Sequence, residues 1–381
     1  GDTVWVHDYQ LLLLPQLIKE QRPDITIGFF LHIPFPSYEI FRTFPWREEI
    51  LNGMLGADLL GFHTYDYERH FLSSVKRIMR LEVNFNEVSY FDRIVKVDSF
   101  PMGIDYQKFH QSALDHADPN KEKSELQKRL DSHLNEGGNQ KFILSIDRMD
   151  YTKGIPNRLR AYEHFLTTYP EYQEKVRLVM LAVPSRSEVP QYRKLKRETD
   201  ELVGRINGQF STVNWTPIWY FYRAIPFDNL IDLYTSAEVA LITPLRDGMN
   251  LVAKEYVATR TNLDGVLILS EMAGAAKEMH EAIIINPNNF EQFSDAIKQA
   301  IEMPKEEQAL RIKTLQKRLK RYSVEKWSDE FMKSLLATQK SNKTTSVVRL
   351  KEILHKNEIE KFKNSKNSIL FLDYDGTLVE F

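Results

Sequence analysis

The sequence predicts an α/β protein built from two facing doubly wound units. Two observations carry that reading. Apolar runs of strand length alternate with helical stretches, first over residues 3–99 and again over 141–285. The residues that follow those runs are charged or carry imidazoles, as expected where parallel strands open on one edge of a sheet. Composition agrees: 42% of the 381 residues are hydrophobic, enough for packed cores. At about 100–200 residues per domain, the length suggests two or three domains.

In the first series, residues 3–6, 25–31, 58–62 and 94–99 read as buried strands bounded by polar or proline-containing turns. Residues 11–19 and 67–80 read as helices. The second helix is well patterned, with Phe71, Val75, Ile78 and Met79 at i, i+4, i+7 and i+8. From 114 to 140 the chain turns polar and helical, and Gly137-Gly138-Asn139 marks a break. The second series has strands at 141–146, 176–183, 213–220, 238–243, 266–269 and 282–285, with helices between most of them. Such alternation indicates a parallel sheet covered on both faces. Pro304 falls in the first turn of a helix reaching about residue 321. Ser323 is placed to cap the next helix, whose Val324, Trp327, Phe331 and Leu335 form one apolar stripe.

Beyond 340 the sequence is polar and lysine-rich, and an apolar strand follows at 369–372. Residues 305–366 hold 17 Lys and Arg against 8 Asp and Glu, a local +9 in a chain whose net charge is −2. Solvated helix faces and a linker are the first reading of that excess; a polyanion-binding patch is the lesser one. The near-neutral total argues against a dedicated nucleic-acid binder. Without cysteine there is no disulfide framework, thiolate metal site or thiol nucleophile. No apolar run approaches the ~18 residues of a membrane span, and no signal-peptide pattern precedes the first strand. The expected location is cytoplasmic and no membrane partner is expected; the oligomeric state is left open. Both chain ends read as cuts inside folded units, as in an internal fragment of a longer protein.

Ligands of open α/β sheets bind beyond the carboxyl ends of the strands. At those ends the first series offers His7, Asp8 and Tyr9, then His32, then His63. The second offers Asp147, Arg148, Asp150, Lys153 and Gly154, then Ser185 and Arg186, then Arg246, Asp247, Gly248 and Asn250. Taken singly, each is most simply a surface charge, a turn residue or a satisfied core histidine. Their recurrence at one edge points to a site. Arg148 and Lys153 in one loop suit a diphosphate. The 244–250 loop runs into a helix near Leu251, whose N-terminal N–H groups add anion donors. Asp247 suits sugar hydroxyls, and Glu255, one turn into that helix, suits a ribose. The set describes a nucleotide-diphosphate-sugar site that needs no metal.

The strings VWVHDY at 4–9, GFFLHIPFP at 28–36, LGFH at 60–63, DRMDYTKG at 147–154, PSRSEV at 184–189 and TPLRDGMNLVAKEY at 243–256 together resemble the trehalose-6-phosphate synthases. These are retaining glycosyltransferases of the GT-B architecture, and the resemblance runs from residue 1 to about 340. It implies transfer of an α-glucosyl group from UDP-glucose to glucose 6-phosphate, giving α,α-trehalose 6-phosphate and UDP, with no cofactor. The residues alone leave the nucleoside open among UDP, GDP and ADP. The resemblance further implies that Arg148 and Lys153 hold the diphosphate and that Asp247, Gly248, Met249 and Asn250 hold the donor glucose. Leu251 and Val252 would present backbone N–H groups, and Glu255 would bind ribose. His32 would contact the transferred sugar, Asp8 the acceptor sugar and Arg186 its 6-phosphate. His63 stands where some members have Gln. Front-face attack is implied, the leaving phosphate taking the nucleophile's proton. The residues agree, since no carboxylate pair of the retaining-glycosidase kind is evident.

The family's first sheet begins earlier than this chain and supplies further donor and acceptor contacts. The acceptor unit is therefore expected to be incomplete, with weak UDP binding kept and turnover lost. At 369–378, ILFLDYDGTL resembles the first motif of haloacid-dehalogenase-type phosphatases. Asp373 would be the nucleophile and Asp375 the acid/base, with Mg²⁺ required by a complete phosphatase domain alone. The expected organisation is an acceptor-side unit at 1–125, a donor unit at 126–322, and a helix at 323–340 packing back on the first unit. A linker at 341–366 and the start of a phosphatase domain at 367–381 follow. The rival reading is a non-catalytic, synthase-like scaffold of a trehalose-6-phosphate phosphatase; the presence of Arg148, Lys153, Asp247 and Glu255 favours an enzyme.

Overall fold

Two six-stranded sheets organise the chain. The computed structural model describes residues 2–345 apart from 92, 119, 121 and 137–139, together with 360, 361, 363 and 364. The phosphatase-like strand, with Asp373 and Asp375, and most of the expected linker lie outside the described residues.

The first sheet comprises β1 (Thr3–His7), β2 (Thr26–Phe30), β3 (Leu59–Phe62), β4 (Val83–Asn84), β5 (Glu87–Tyr90) and β6 (Arg93–Ser99), in the order β1-β2-β3-β6-β5-β4. β1, β2, β3 and β6 are parallel, while β5 and β4 continue antiparallel beyond β6. The expected strands are present within a residue or so. The antiparallel pair was not anticipated. β5 is EVSY, too short and too polar to stand out as an apolar run, and its inward Val88 and Tyr90 are its only buried positions.

The second sheet comprises β7 (Lys141–Arg148), β8 (Val176–Val183), β9 (Ile218–Phe221), β10 (Val239–Ile242), β11 (Val266–Ser270) and β12 (Ile283–Ile285), all parallel, in the order β12-β11-β10-β7-β8-β9. This is the doubly wound order of dinucleotide-binding folds, and its direction reverses between β7 and β10. β7, β8 and β10 are almost wholly buried, which explains their continuous apolar sequences. β9 corrects the expected 213–220 strand. Val213 is fully exposed, the Thr212 N–H donates to Trp215 O in a turn (2.9 Å), and Pro217 has no N–H for a ladder.

The helix expected at 67–80 is α-helical over Tyr65–Ser74, continues as a π turn over Val75–Met79, and stops at Arg80 in the left-handed conformation. The helix Tyr106–His116 packs against Leu251–Thr259 and Phe227–Ser236, and Ile104, Tyr106 and Ala113 join the core of the second half. Packing therefore changes sides near residue 104, earlier than the boundary expected at 125. The final helix, Val324–Thr345, runs past the expected end at 340 and returns to the first sheet. Phe331 lies over both Gly28 and Gly61, and Leu335 over Gly28, so a side chain at either glycine would displace Phe331. Asn342 brackets Ile94 by hydrogen bonds to its N–H (3.1 Å) and C=O (3.0 Å). No helix of the described residues is long and apolar enough to cross a membrane.

Candidate active site

The carboxyl edges of the two sheets face each other across a cavity of about 420 Å³, within the range of small-ligand sites (about 300–1,000 Å³). Its walls include His32, His63, Asp147, Arg148, Lys153, Asp247, Met249, Asn250, Leu251 and Val252. A larger cavity of about 680 Å³, lined by Ala113, Arg260 and Lys305 among others, holds none of the strand-end residues. The smaller one is at the point where the strand order reverses, and it gathers ten of the residues singled out in sequence.

Two loops form its floor. The loop after β7 is a 3-10 turn, Tyr151–Lys153, whose Asp150 accepts from the Thr152 N–H (2.9 Å) and hydroxyl (2.8 Å). Gly154, at φ +65°, then turns the chain into helix Ile155–Thr168. The loop after β10 leads to helix Leu251–Thr259, capped by Asn250, whose Oδ1 accepts from Ala253 N (3.2 Å). That cap leaves the Leu251 and Val252 N–H groups at the helix start, on the cavity wall. The loops are joined, since Leu245 N (2.8 Å) and Arg246 N (3.1 Å) both donate to Thr152 O.

Beneath them is a residue that sequence reasoning missed. Arg158 is fully buried and donates to Thr243 Oγ1 (2.9 Å), Ser145 Oγ (2.5 Å), Asp147 Oδ2 (2.8 Å) and Lys153 O (3.1 Å). Burial raises the Asp147 carboxyl against the opposing pull of Arg158 and Lys153. Asp147 is thus part of the loop's foundation. No local pattern marks this, because the partners are scattered through the sequence.

Arg148 is exposed at the cavity rim. Lys153 is ion-paired with Asp247, so the two expected cations are not equivalent. Asp247 also accepts from Met249 N (3.2 Å) and Asn250 Nδ2 (3.1 Å), which fixes its carboxylate. Its backbone oxygen accepts from Tyr67 of the first half (3.3 Å); burial, aided by Asp247, pushes the Tyr67 hydroxyl up to about 12. Glu255 is not on the cavity wall. It lies one turn along the helix and accepts from the Tyr234 hydroxyl (2.7 Å), and burial raises its carboxyl.

The first half contributes a cluster of imidazoles. His7 Nδ1 and His32 Nε2 are 3.0 Å apart, and His32 and His63 ring centroids are 5.3 Å apart. Burial lowers all three, His63 furthest, with the neighbouring His32 adding to the effect on His7 and His63. Neutral imidazoles are favoured there, suited to hydrogen bonding with hydroxyls rather than to neutralising phosphate. Asp8 has φ +70°, a strained conformation for a residue with a Cβ, and its Oδ1 accepts from His32 N (3.3 Å). Arg186 is across the cleft from Asp8, exposed, and paired with Tyr9. Neither Asp8 nor Arg186 lines the cavity. Among the described residues there is no group of three or more His, Cys, Asp or Glu arranged to hold a metal.

Two α/β halves, meeting over a crevice at the switch point of the second sheet that Arg148, Lys153, Asp147 and Asp247 line, define a fold of GT-B type. The chain belongs to glycosyltransferase family 20, whose model matches residues 1–337. It is 45% identical over its whole length to a bifunctional trehalose-6-phosphate synthase/phosphatase of Thermoproteus tenax. It is 44% identical, again over 100% of the chain, to a UDP-forming alpha,alpha-trehalose-phosphate synthase of Dictyostelium discoideum. The chain spans about half the length of these relatives, 51% in each case. Among solved structures, one from E. coli bound with UDP-2-fluoro glucose matches with TM-score 0.83 and 33% identity, covering 88% of this chain and 73% of that one. A UDP-forming synthase of Burkholderia xenovorans in complex with glucose-6-phosphate matches with TM-score 0.83 and 33% identity, covering 88% and 74%.

Proposed function

We propose that this chain forms the synthase part of a protein that transfers α-glucose from UDP-glucose to glucose 6-phosphate, giving α,α-trehalose 6-phosphate and UDP. The observation that carries the reading is the convergence of Arg148, Lys153 and the start of helix Leu251–Thr259 on one cavity. Family membership and the ligands named for the similar structures support the choice of substrates.

In this reading the second half holds the donor. Arg148, Lys153 and the Leu251 and Val252 N–H groups receive the diphosphate. Asp247, Gly248, Met249 and Asn250 hold the glucose, and Glu255 turns to the ribose. The first half, with helix Val324–Thr345 against it, presents the acceptor through Asp8, with Arg186 on its phosphate. His32 contacts the transferred sugar. Chemistry is front-face. The acceptor's anomeric oxygen forms the new bond on the face the diphosphate leaves, and the departing phosphate oxygen takes the proton. Configuration is retained. Negative charge grows on the leaving group, so fixed cations and N–H dipoles act where the transition state needs them. Lys153 is held by Asp247 before any ligand arrives, and thus little reorganisation is required of it. No divalent ion takes part.

The test is incubation of the intact protein with ¹³C-labelled UDP-glucose and glucose 6-phosphate, with and without EDTA. Mass spectrometry and NMR should find a labelled α,α-linked disaccharide phosphate in both samples. A β linkage, or loss of product on chelation with recovery on adding Mg²⁺, contradicts the proposed chemistry.

A further inference from the structure

Arg186 is held in a way a surface arginine does not require. Its backbone is at φ +46°, a left-handed conformation that is costly for a residue with a Cβ. Its guanidinium is between two tyrosines, with each ring centroid 5.9 Å away. One arm donates to the Tyr9 hydroxyl of the first half, the other to the Tyr192 hydroxyl (3.2 Å). Tyr192 is buried in the first turn of helix Pro190–Phe210 and donates its own proton to Asp150 Oδ2 (3.0 Å). The other oxygen of Asp150 receives the Thr152 N–H and hydroxyl, and Thr152 O receives Leu245 N and Arg246 N. One continuous hydrogen-bonded chain thus connects both loops of the donor crevice to Arg186.

The direction of each bond matters. Asp150 keeps its charge: burial would raise its carboxyl, but the bonds from Thr152 and Tyr192 outweigh that and lower it. The carboxylate draws the Tyr192 proton to itself, leaving the phenol oxygen to accept from Arg186. Arg186 then has N–H groups to spare, aimed by a fixed partner rather than by a mobile side chain.

We propose that Tyr192, with Asp150, is a positioning residue that sets Arg186 for the acceptor's phosphate and couples that setting to occupancy of the donor loop. The proposal rests on the reading of Arg186 as an acceptor-phosphate ligand. A diphosphate drawn to Arg148 and Lys153 fixes the 148–153 loop, and Asp150 with it. The phosphate ligand is then ordered before the acceptor arrives. Linkage makes the effect reciprocal: UDP tightens glucose 6-phosphate binding by the same factor as glucose 6-phosphate tightens UDP.

The experiment uses the intact protein and its Tyr192→Phe variant, which loses one oxygen. Calorimetry gives glucose 6-phosphate affinity with and without saturating UDP; steady-state kinetics gives KM and kcat. In the wild type, UDP should improve glucose 6-phosphate affinity at least about fivefold, the low end of ordinary coupling. In Tyr192→Phe the enhancement should fall below about twofold and KM for glucose 6-phosphate rise about tenfold, the scale of a bond to a charged group. UDP affinity in the absence of acceptor should stay within about twofold. Asp150→Asn, which keeps an acceptor for Thr152, should act in the same direction and replaces the first variant if that one fails to fold. Unchanged KM and unchanged enhancement in both variants overturn the proposal. So does an equal loss of UDP and glucose 6-phosphate affinity, which would mean general loosening. If the wild type does not use glucose 6-phosphate at all, the reading of Arg186 falls first, and that outcome is distinct from failure of the relay.

Discussion

The peptide of Gly248 lies directly against the carbonyl oxygen of His32. A Cβ at 248 would fall far inside van der Waals contact with that oxygen and 3.3 Å from His63 Cδ2. Gly274 meets the Gly248 carbonyl just as closely from the other side. The two halves therefore touch backbone to backbone where the donor sugar is proposed to sit. Gly248→Ala can be relieved only by parting the halves or moving the 247–250 loop. A misplacement of about 1 Å can cost about 10²-fold in rate, and kcat/KM for transfer should fall by about that much. Activity within about threefold of wild type would show that the contact does not matter.

Arg158 and Asp147 are a buried ion pair with side-chain exposures of 0% and 3%. Removing one partner strands the other charge, at a cost of about 3–5 kcal/mol. Arg158→Leu should lower the unfolding free energy in urea by that amount. A loss below about 1 kcal/mol would mean that Asp147 is neutralised or resolvated without difficulty.

Lys153 and Glu255 should respond differently to substitution. Lys153→Ala removes a fixed charge from the leaving group and should lower kcat by about 10²–10³-fold, as should Arg148→Ala. Glu255→Gln should raise donor KM with little change in kcat, because a ribose contact is the same in ground and transition states. Lower kcat with unchanged donor affinity in Glu255→Gln would exclude the ribose assignment.

Glu68 gives a pH signature. Burial, with the neighbouring Asp98 carboxylate, raises its carboxyl from 4.5 to about 7. A raised folded value means that its contribution is fully present below about 4.5 and lost as pH rises to about 7. Glu68→Gln should therefore gain stability relative to wild type across that window and hold a constant margin above it. Urea midpoints at pH 4.5, 6 and 8 measure the margin; a margin that does not change with pH would rule the shift out. His63 works in the opposite sense. Its lowered value gives stability that is present above 6.5 and lost as pH falls.

Much of the fold was legible because the parallel strands are buried on both faces. KFILSI at 141–146 and VRLVMLAV at 176–183 can hardly be anything else. β5 was not legible, since its EVSY sequence is half polar, and the hairpin turns beside it use Phe85 and Phe91 at positive φ rather than glycine or asparagine. In the site, the strand-end rule located Arg148, Lys153, Asp247 and His32, because their positions follow from topology. It could not find Arg158 or Tyr192. Each is one polar residue on a helix, and its importance comes from partners far away in sequence. Nor could it foresee that Lys153 would already be paired with Asp247.

The central claim is that a nucleoside diphosphate occupies the crevice between Arg148, Lys153 and the start of helix Leu251–Thr259. Calorimetric titration of UDP into the intact protein and into its Lys153→Ala variant tests it most directly. The account predicts saturable one-to-one binding in the wild type and affinity at least about tenfold weaker in the variant, the scale of a lost charge-assisted contact. Equal affinity in the two proteins would place the nucleotide elsewhere and contradict the account.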